Sequence, residues 1–242
     1  MRLNGKRALV TGAGSGFGAG IARAFAREGA FVACADINAD ASVKIAEELG
    51  GLAITADVAK RSSVDAMVAA AGDIDILVNN AGVTHTKGPL EYVDEDTFDR
   101  VFAVNCKSVY LTAQAVVPHW KVRGDGVILN VASTAGVSPR AHLNWYNCSK
   151  GWMITATKTM AVELAPTGIR VNAINPVAGE TPLLASFMGE DTPEMRARFL
   201  STIPIGRFST PEDMGHAAVF LCSDEASMVT GVAMEVDGGR CI

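Results

Sequence analysis

The chain has 242 residues, 49% of them hydrophobic and 19% charged, enough to bury one substantial core without disulfides or a second domain. Its net charge is −5 with no cluster of Lys or Arg, so the electrostatic footprint of a nucleic-acid binder is absent. No apolar run reaches bilayer-spanning length, so no membrane partner is expected. Met1 to Lys6 lead straight into strand-like sequence with no signal peptide, and five cysteines without a Cys-x-x-Cys pair argue against a disulfide framework; a reducing cytoplasm fits.

Arg7 to Val10 form an apolar run that reads as a buried strand over 7–11, and Ile21 to Ala26 read as a helix. Between them lies Thr11-Gly12-Ala13-Gly14-Ser15-Gly16-Phe17-Gly18, with the spacing Gly12-x-x-x-Gly16-x-Gly18 and Gly14 in addition. Strand, glycine turn and helix are the context for holding a pyrophosphate. Glycine lets the backbone approach it, and the helix N-terminus supplies free N–H groups and a positive dipole end. A second strand over 31–36 ends in Asp36, 18 positions beyond Gly18. A carboxylate there accepts hydrogen bonds from adenosine ribose hydroxyls and repels a 2′-phosphate. Neither Ser15 nor Ile37 is a cation that would welcome such a phosphate, so NAD is expected in preference to NADP. Asp36 also suits the N-cap of a helix opening near Ala39.

Further strand-like runs fall near 52–58, 75–80, 126–133, 170–175 and 232–236, with helical patterns between most of them, notably around 97–120 and 145–165. This alternation predicts one α/β domain over 1–242, a doubly wound parallel sheet of about seven strands with helices on both faces. Gly12, Asp36, Asp57, Asn79, Ser133 and Pro176 all fall at predicted strand ends, beyond which open sheets bind ligands. Tyr146 and Lys150 lie four apart on a predicted helix and share a face. A cation near a phenol favours the phenolate, lowering its pKa from about 10 toward the working pH of a general acid/base. By itself such a pair also describes an ordinary surface of an amphipathic helix.

The segment 181–208 is the longest irregular stretch, with Leu183, Leu184, Phe187, Met188 and Phe199 among Glu190, Asp191, Glu194, Arg196 and Arg198. It serves equally as a lid over the site, where Leu183 and Met188 are candidate substrate contacts, or as a piece packed on the domain body. Arg140 and His142, just before Tyr146, suit an anionic or polyhydroxylated substrate; a solvated surface is the ordinary alternative for Arg140. His85 flanks a strand-end loop and is a further substrate candidate, while His85, His119, His142 and His216 lack the spacing of metal ligands, so no metal is expected.

These motifs, taken in order from the glycine segment through Asp57-Val58, Asn79-Asn80-Ala81-Gly82, Asn105, Ser133, Tyr146 with Lys150, and Asn175-Pro176 followed by Thr181, resemble the classical short-chain dehydrogenase/reductase family over nearly the whole chain. The resemblance implies a Rossmann-like fold and hydride transfer between NAD and a secondary alcohol or its ketone. Ser133 would then bond the substrate oxygen, and Tyr146 would exchange the carbinol proton. Lys150 would hold nicotinamide-ribose hydroxyls and lower the Tyr146 pKa, and Asn105 would anchor a water linking Lys150 to solvent. A buried, internally satisfied helix asparagine is the reading of Asn105 without the family. The dinucleotide would lie against Gly12, Ser15, Gly16, Phe17, Gly18, Asp36, Ile37, Asp57, Val58, Asn79, Ala81, Gly82, Tyr146, Lys150, Pro176 and Thr181. Where the family usually shows Pro-Gly, this chain has Pro176-Val177. A homotetramer paired through the two long helices, together with the C-terminal segment from Phe208 to Ile242, is also implied. Two other functions remain open: an NADPH-dependent 3-oxoacyl-thioester reductase, and a non-catalytic dinucleotide sensor.

Overall fold

The computed structural model describes residues 1–189 and 192–242; Glu190 and Asp191 of the irregular segment lie outside the described residues. In chain order the elements are β1 (Arg7–Thr11), α1 (Gly16–Arg27), β2 (Phe31–Asp36), α2 (Ala39–Leu49), β3 (Leu52–Thr55), α3 (Arg61–Ala71), β4 (Ile76–Asn79) and α4 (Glu95–Phe102). They continue with α5 (Ser108–Arg123), β5 (Gly126–Val131), α6 (Asn144–Leu164), β6 (Ile169–Pro176), α7 (Leu184–Met188), α8 (Pro193–Leu200), α9 (Pro211–Cys222) and β7 (Ala233–Val236). The helix expected around 97–120 is α4 and α5 joined by a π-helical turn over Ala103–Lys107.

The seven strands form one sheet in the order β3-β2-β1-β4-β5-β6-β7, and every pairing is parallel. Strand order reverses between β1 and β4, which opens a crevice at their carboxyl ends. The sheet is buried on both faces, and its period of two divides each strand between two cores. Ala8 and Val10 of β1, Ile76 and Val78 of β4, and Leu129 of β5 pack with α1, α2 and α9. Leu9, Leu77 and Ile128 between them pack with α3, α5 and α6. Continuous apolar runs are what such a two-sided sheet requires.

One polar network lies inside the second face. Asn79 Nδ2 donates to Asn130 Oδ1 across β4 and β5 (2.9 Å), and Asn130 Nδ2 donates to Thr157 Oγ1 on α6 (2.9 Å). Thr112 on α5 donates to Asn79 Oδ1 (2.9 Å). Asn79 is therefore a buried brace and not a wall of the cofactor crevice as its motif position suggested; its neighbour Asn80 faces the crevice instead. Thr112→Val keeps the shape and strands a buried acceptor, so it should lower stability to urea by about 1–3 kcal/mol. Thr159→Val, which removes an exposed hydroxyl bonded only to Thr155 O, should change it by less than about 0.5 kcal/mol.

Candidate active site

A cleft of about 820 Å³ runs along the carboxyl edge of the sheet, from Asp36 and Asp57 at one end to Arg140 and Phe199 at the other. Its floor is set where β1 and β4 end. Asn80 Nδ2 donates to the carbonyls of Thr11 (2.9 Å) and Gly12 (3.1 Å), while Thr11 Oγ1 accepts from the N–H groups of Asn80 and Ala81. Gly18 fits behind this turn because it has no side chain: a Cβ there would stand 2.1 Å from the Gly12 oxygen. Ser15 occupies the N-cap position of α1, but its side chain accepts no bond from the helix. The first-turn N–H groups beside Ser15, Gly16 and Phe17 thus keep their donor capacity at the cleft.

Asp36 accepts from Gly14 N and Asn38 N, both at 2.9 Å, and its carboxylate lines the cleft. It does not cap α2; Asn38 does, accepting from Ala41 N at 3.1 Å. Ile37 is exposed beside it. Asp57 and Val58 line the same end because β3 stops at Thr55, short of the 58 expected; the Asp57 carboxylate accepts from Ala59 N (3.0 Å) and pairs with Lys60 (3.2 Å).

Ser133, Tyr146 and Lys150 meet at the middle of the cleft. The Ser133 oxygen accepts from Ala135 N (3.0 Å), leaving its O–H to donate. Lys150 Nζ donates to Val131 O at 2.8 Å, using one of three ammonium donors, and lies 5.9 Å from the Tyr146 ring centroid. Burial pushes the Tyr146 phenol up to about 12, with Ser133 opposing, and pushes the Lys150 ammonium down to about 8. In the protein alone burial therefore disfavours the charged form of both groups, and charge brought by a bound nicotinamide is what would favour the phenolate beside Lys150. Asn105, on the π turn, has both amide hydrogens in use, on Val83 O and Ser149 Oγ (2.9 Å each), and accepts from Val83 N. Its side chain braces the loop after β4 against α6 and makes no hydrogen bond to Lys150 among the described residues.

Arg140 and Leu183 line the far end, together with Pro176 and Thr181, but three substrate candidates do not. His85 is buried under its own loop with Nδ1 2.8 Å from Thr86 O, and His142 is exposed. Met188 is buried in a satellite core with Val177, Leu184, Phe199, Ile203 and Phe208. That core explains the departure at Val177, whose side chain ties β6 to the 181–208 segment. At Gly179 a Cβ would stand 2.3 Å from the tip of the Phe17 ring, so a side chain there would displace it. Of the possible lid residues, Phe187 and Phe199 line the cleft without having been chosen as substrate contacts, the Phe187 ring 5.2 Å from that of Tyr146; Leu143 and Asn147 were missed by sequence reasoning. It also missed Arg100 and Val104, which one helical face brings to the cleft.

The family model described as enoyl-(acyl carrier protein) reductase matches residues 12–240. The 4-formylbenzenesulfonate dehydrogenase of Comamonas testosteroni is 52% identical, with all of both chains covered. The chain belongs to the short-chain dehydrogenase/reductase family. A 3-oxoacyl-(acyl-carrier-protein) reductase of Thermotoga maritima in the same family is 42% identical, again with both chains covered in full. A crystal structure of 3-ketoacyl-(acyl-carrier-protein) reductase from Brucella melitensis complexed with NADH superposes with a TM-score of 0.94 at 50% identity, covering 99% of this chain and 100% of that one. As a short-chain dehydrogenase/reductase the chain is an oxidoreductase using a nicotinamide dinucleotide, and the uncapped α1 terminus with the Asp36 carboxylate fits such a group.

At pH about 10, where an ordinary tyrosine is half ionised, Tyr146 in the protein alone should contribute no tyrosinate absorbance, measured as wild type minus Tyr146→Phe. Lys150→Met should leave that difference unchanged, because Lys150 is already neutral there; a Tyr146 signal at that pH would contradict the desolvation argument.

Proposed function

We propose that this protein is an NAD-dependent dehydrogenase that interconverts a secondary alcohol, such as a sugar, hydroxy acid, diol or cyclic alcohol, and its ketone. The observation that carries the reading is Asp36. Its carboxylate closes β2 beside Gly14, where it can accept from ribose hydroxyls and would repel a 2′-phosphate, and neither neighbour at Ser15 or Ile37 is a cation that would hold one. The two unused donors of Lys150 suit ribose hydroxyls, and Ile37, Val58, Ala81, Gly82, Pro176 and Thr181 complete the walls.

The bound dinucleotide supplies the hydride donor or acceptor. Ser133 donates its O–H to the substrate oxygen, holding it against Tyr146. Tyr146 Oη takes the carbinol proton during oxidation and returns it during reduction. Positive charge brought beside Tyr146 and Lys150 offsets the burial that keeps the phenol neutral in the protein alone. Phe187 and Leu143 exclude water from that transfer.

A second reading, an NADPH-dependent 3-oxoacyl-thioester reductase, draws support from the two relatives so named. Cofactor titration separates the two readings. The expectation is tighter binding of NADH than NADPH. Asp36→Ala should weaken NADH about tenfold or more and narrow the gap. Tighter NADPH binding by the wild type would sink the NAD assignment. Tyr146→Phe should cut alcohol oxidation about 10²–10⁴-fold while NADH still binds. A protein that binds NADH and turns over no alcohol or ketone in a broad panel would be a sensor instead.

Free cysteines throughout are consistent with a reducing cytoplasm. Tyr110 on α5, with Trp152 and Val162 on α6, leaves apolar surface exposed on the two helices that would pair in a homotetramer. Sedimentation should give a tetramer, and a concentration-independent monomer would refute it.

A further inference from the structure

Around Phe199 the cleft has apolar walls beside a cation. Leu143, Val177, Leu183, Phe187 and Phe199 supply the walls, and Arg140 is the cation. The Arg140 guanidinium lies 4.4 Å from the Phe199 ring centroid, and its Nη2 donates to Thr202 Oγ1 at 3.1 Å. Its backbone is held too, since Asn147 on α6 donates to Arg140 O at 2.8 Å. No carboxylate pairs with Arg140 among the described residues. A second guanidinium, that of Arg240, stands close by, donating to Ser138 Oγ at 3.2 Å and leaving its buried Nε without a partner. Burial, and next the charge of Arg240, push the Arg140 pKa down. A partly buried cation that lacks a counter-ion and faces a like charge is costly, and an oxyanion at that spot removes the cost. Thr202 and the Phe199 ring fix the guanidinium plane, so its remaining N–H groups are presented as a fork rather than as a mobile charge.

We infer that Arg140 is an oxyanion-binding specificity residue, so that the substrate of the proposed dehydrogenase carries a carboxylate or sulfonate joined through an apolar body to its reacting carbon. The inference rests on the dehydrogenase reading for what happens at that carbon, while the anion subsite itself is readable by binding alone.

The test uses the full chain saturated with NADH and titrates three ketones by calorimetry: 4-acetylbenzoate, 4-acetylbenzenesulfonate and the neutral 4-acetylbenzamide. Charge-assisted hydrogen bonds predict that the anions bind about tenfold to hundredfold more tightly than the amide. Arg140→Gln should erase that ratio, and Arg140→Lys should keep part of it, which a purely packing role on Phe199 would not do. Preference for only one anion supports the subsite and names its acid. Equal binding of amide and anions, binding of none, or a preference that survives Arg140→Gln overturns it. Reduction of a neutral ketone with no anion advantage would leave the dehydrogenase standing and remove the subsite. An Arg140-dependent anion preference with no ketone reduced by any of a broad panel would do the reverse.

Discussion

The cleft depends on one tie, between the ends of β1 and β4. These two strands are neighbours in the centre of the sheet, yet the chain leaves them toward opposite faces, and a crevice opens where they part. Thr11 holds the parting point: its hydroxyl donates to Val78 O at 3.1 Å and accepts from Asn80 N and Ala81 N, while Asn80 Nδ2 returns bonds to the carbonyls of Thr11 and Gly12. Backbone groups that neither strand can satisfy are thereby paired at the floor of the cleft, where unpaired they would cost about 1–3 kcal/mol each. Gly18 then brings α1 against the same turn, so the helix N-terminus points at a fixed place. The cofactor half of the site is a consequence of this backbone arrangement more than of any side chain.

The catalytic half depends on desolvation. Tyr146 and Lys150 are both buried on α6, and burial disfavours the charged form of each, moving the phenol up and the amine down. The protein alone thus holds the pair away from the phenolate–ammonium state, and the charge needed to reach it must arrive with the ligands. Asn105 and Ser149 keep the geometry meanwhile. Ser149 donates to Tyr146 O at 2.7 Å and accepts from Asn105, whose carboxamide also grips Val83. The loop after β4 and the helix that carries the pair cannot shift independently, and the π turn at 103–107 is what places Asn105 between them.

Much of this was legible in the sequence, for physical reasons. Central strands such as β1, β4 and β5 are buried on both faces and so must be continuous apolar runs, and motif residues at strand ends marked the carboxyl edge. Errors arose where one residue decides direction. Asn79 and Asn80 are chemically identical, and only the pleat determines that the first points into the α5–α6 core and the second toward the crevice. Asp36 suited the cap of α2 by its place in the sequence, but the turn after β2 puts Asn38 against Ala41 N instead. Phe187 and Phe199 were hidden by a different ambiguity: apolar residues at helical spacing fit a lid and a packed segment alike, and here they serve both, with Phe199 in the satellite core and on the cleft wall.

That satellite core sets how the two halves of the site relate. Val177, Leu184, Met188, Phe199, Ile203 and Phe208 bury one another apart from the two cores that flank the sheet, and the segment is tied to it at the end of β6, at the Gly179–Ser209 bridge and after β7, where Ile205 N donates to Gly238 O. The end of the cleft at Gly12 and Asp36 is built from strand ends and glycine turns locked into the main cores, whereas the end at Phe187 and Phe199 is built from side chains of a segment with its own small core. Arg140 stands at the boundary: its carbonyl is fixed to α6 through Asn147, and its guanidinium rests on Phe199 and Thr202 of the satellite segment. A ligand that engages this guanidinium therefore binds both halves at once and favours the arrangement in which Phe187 covers Tyr146.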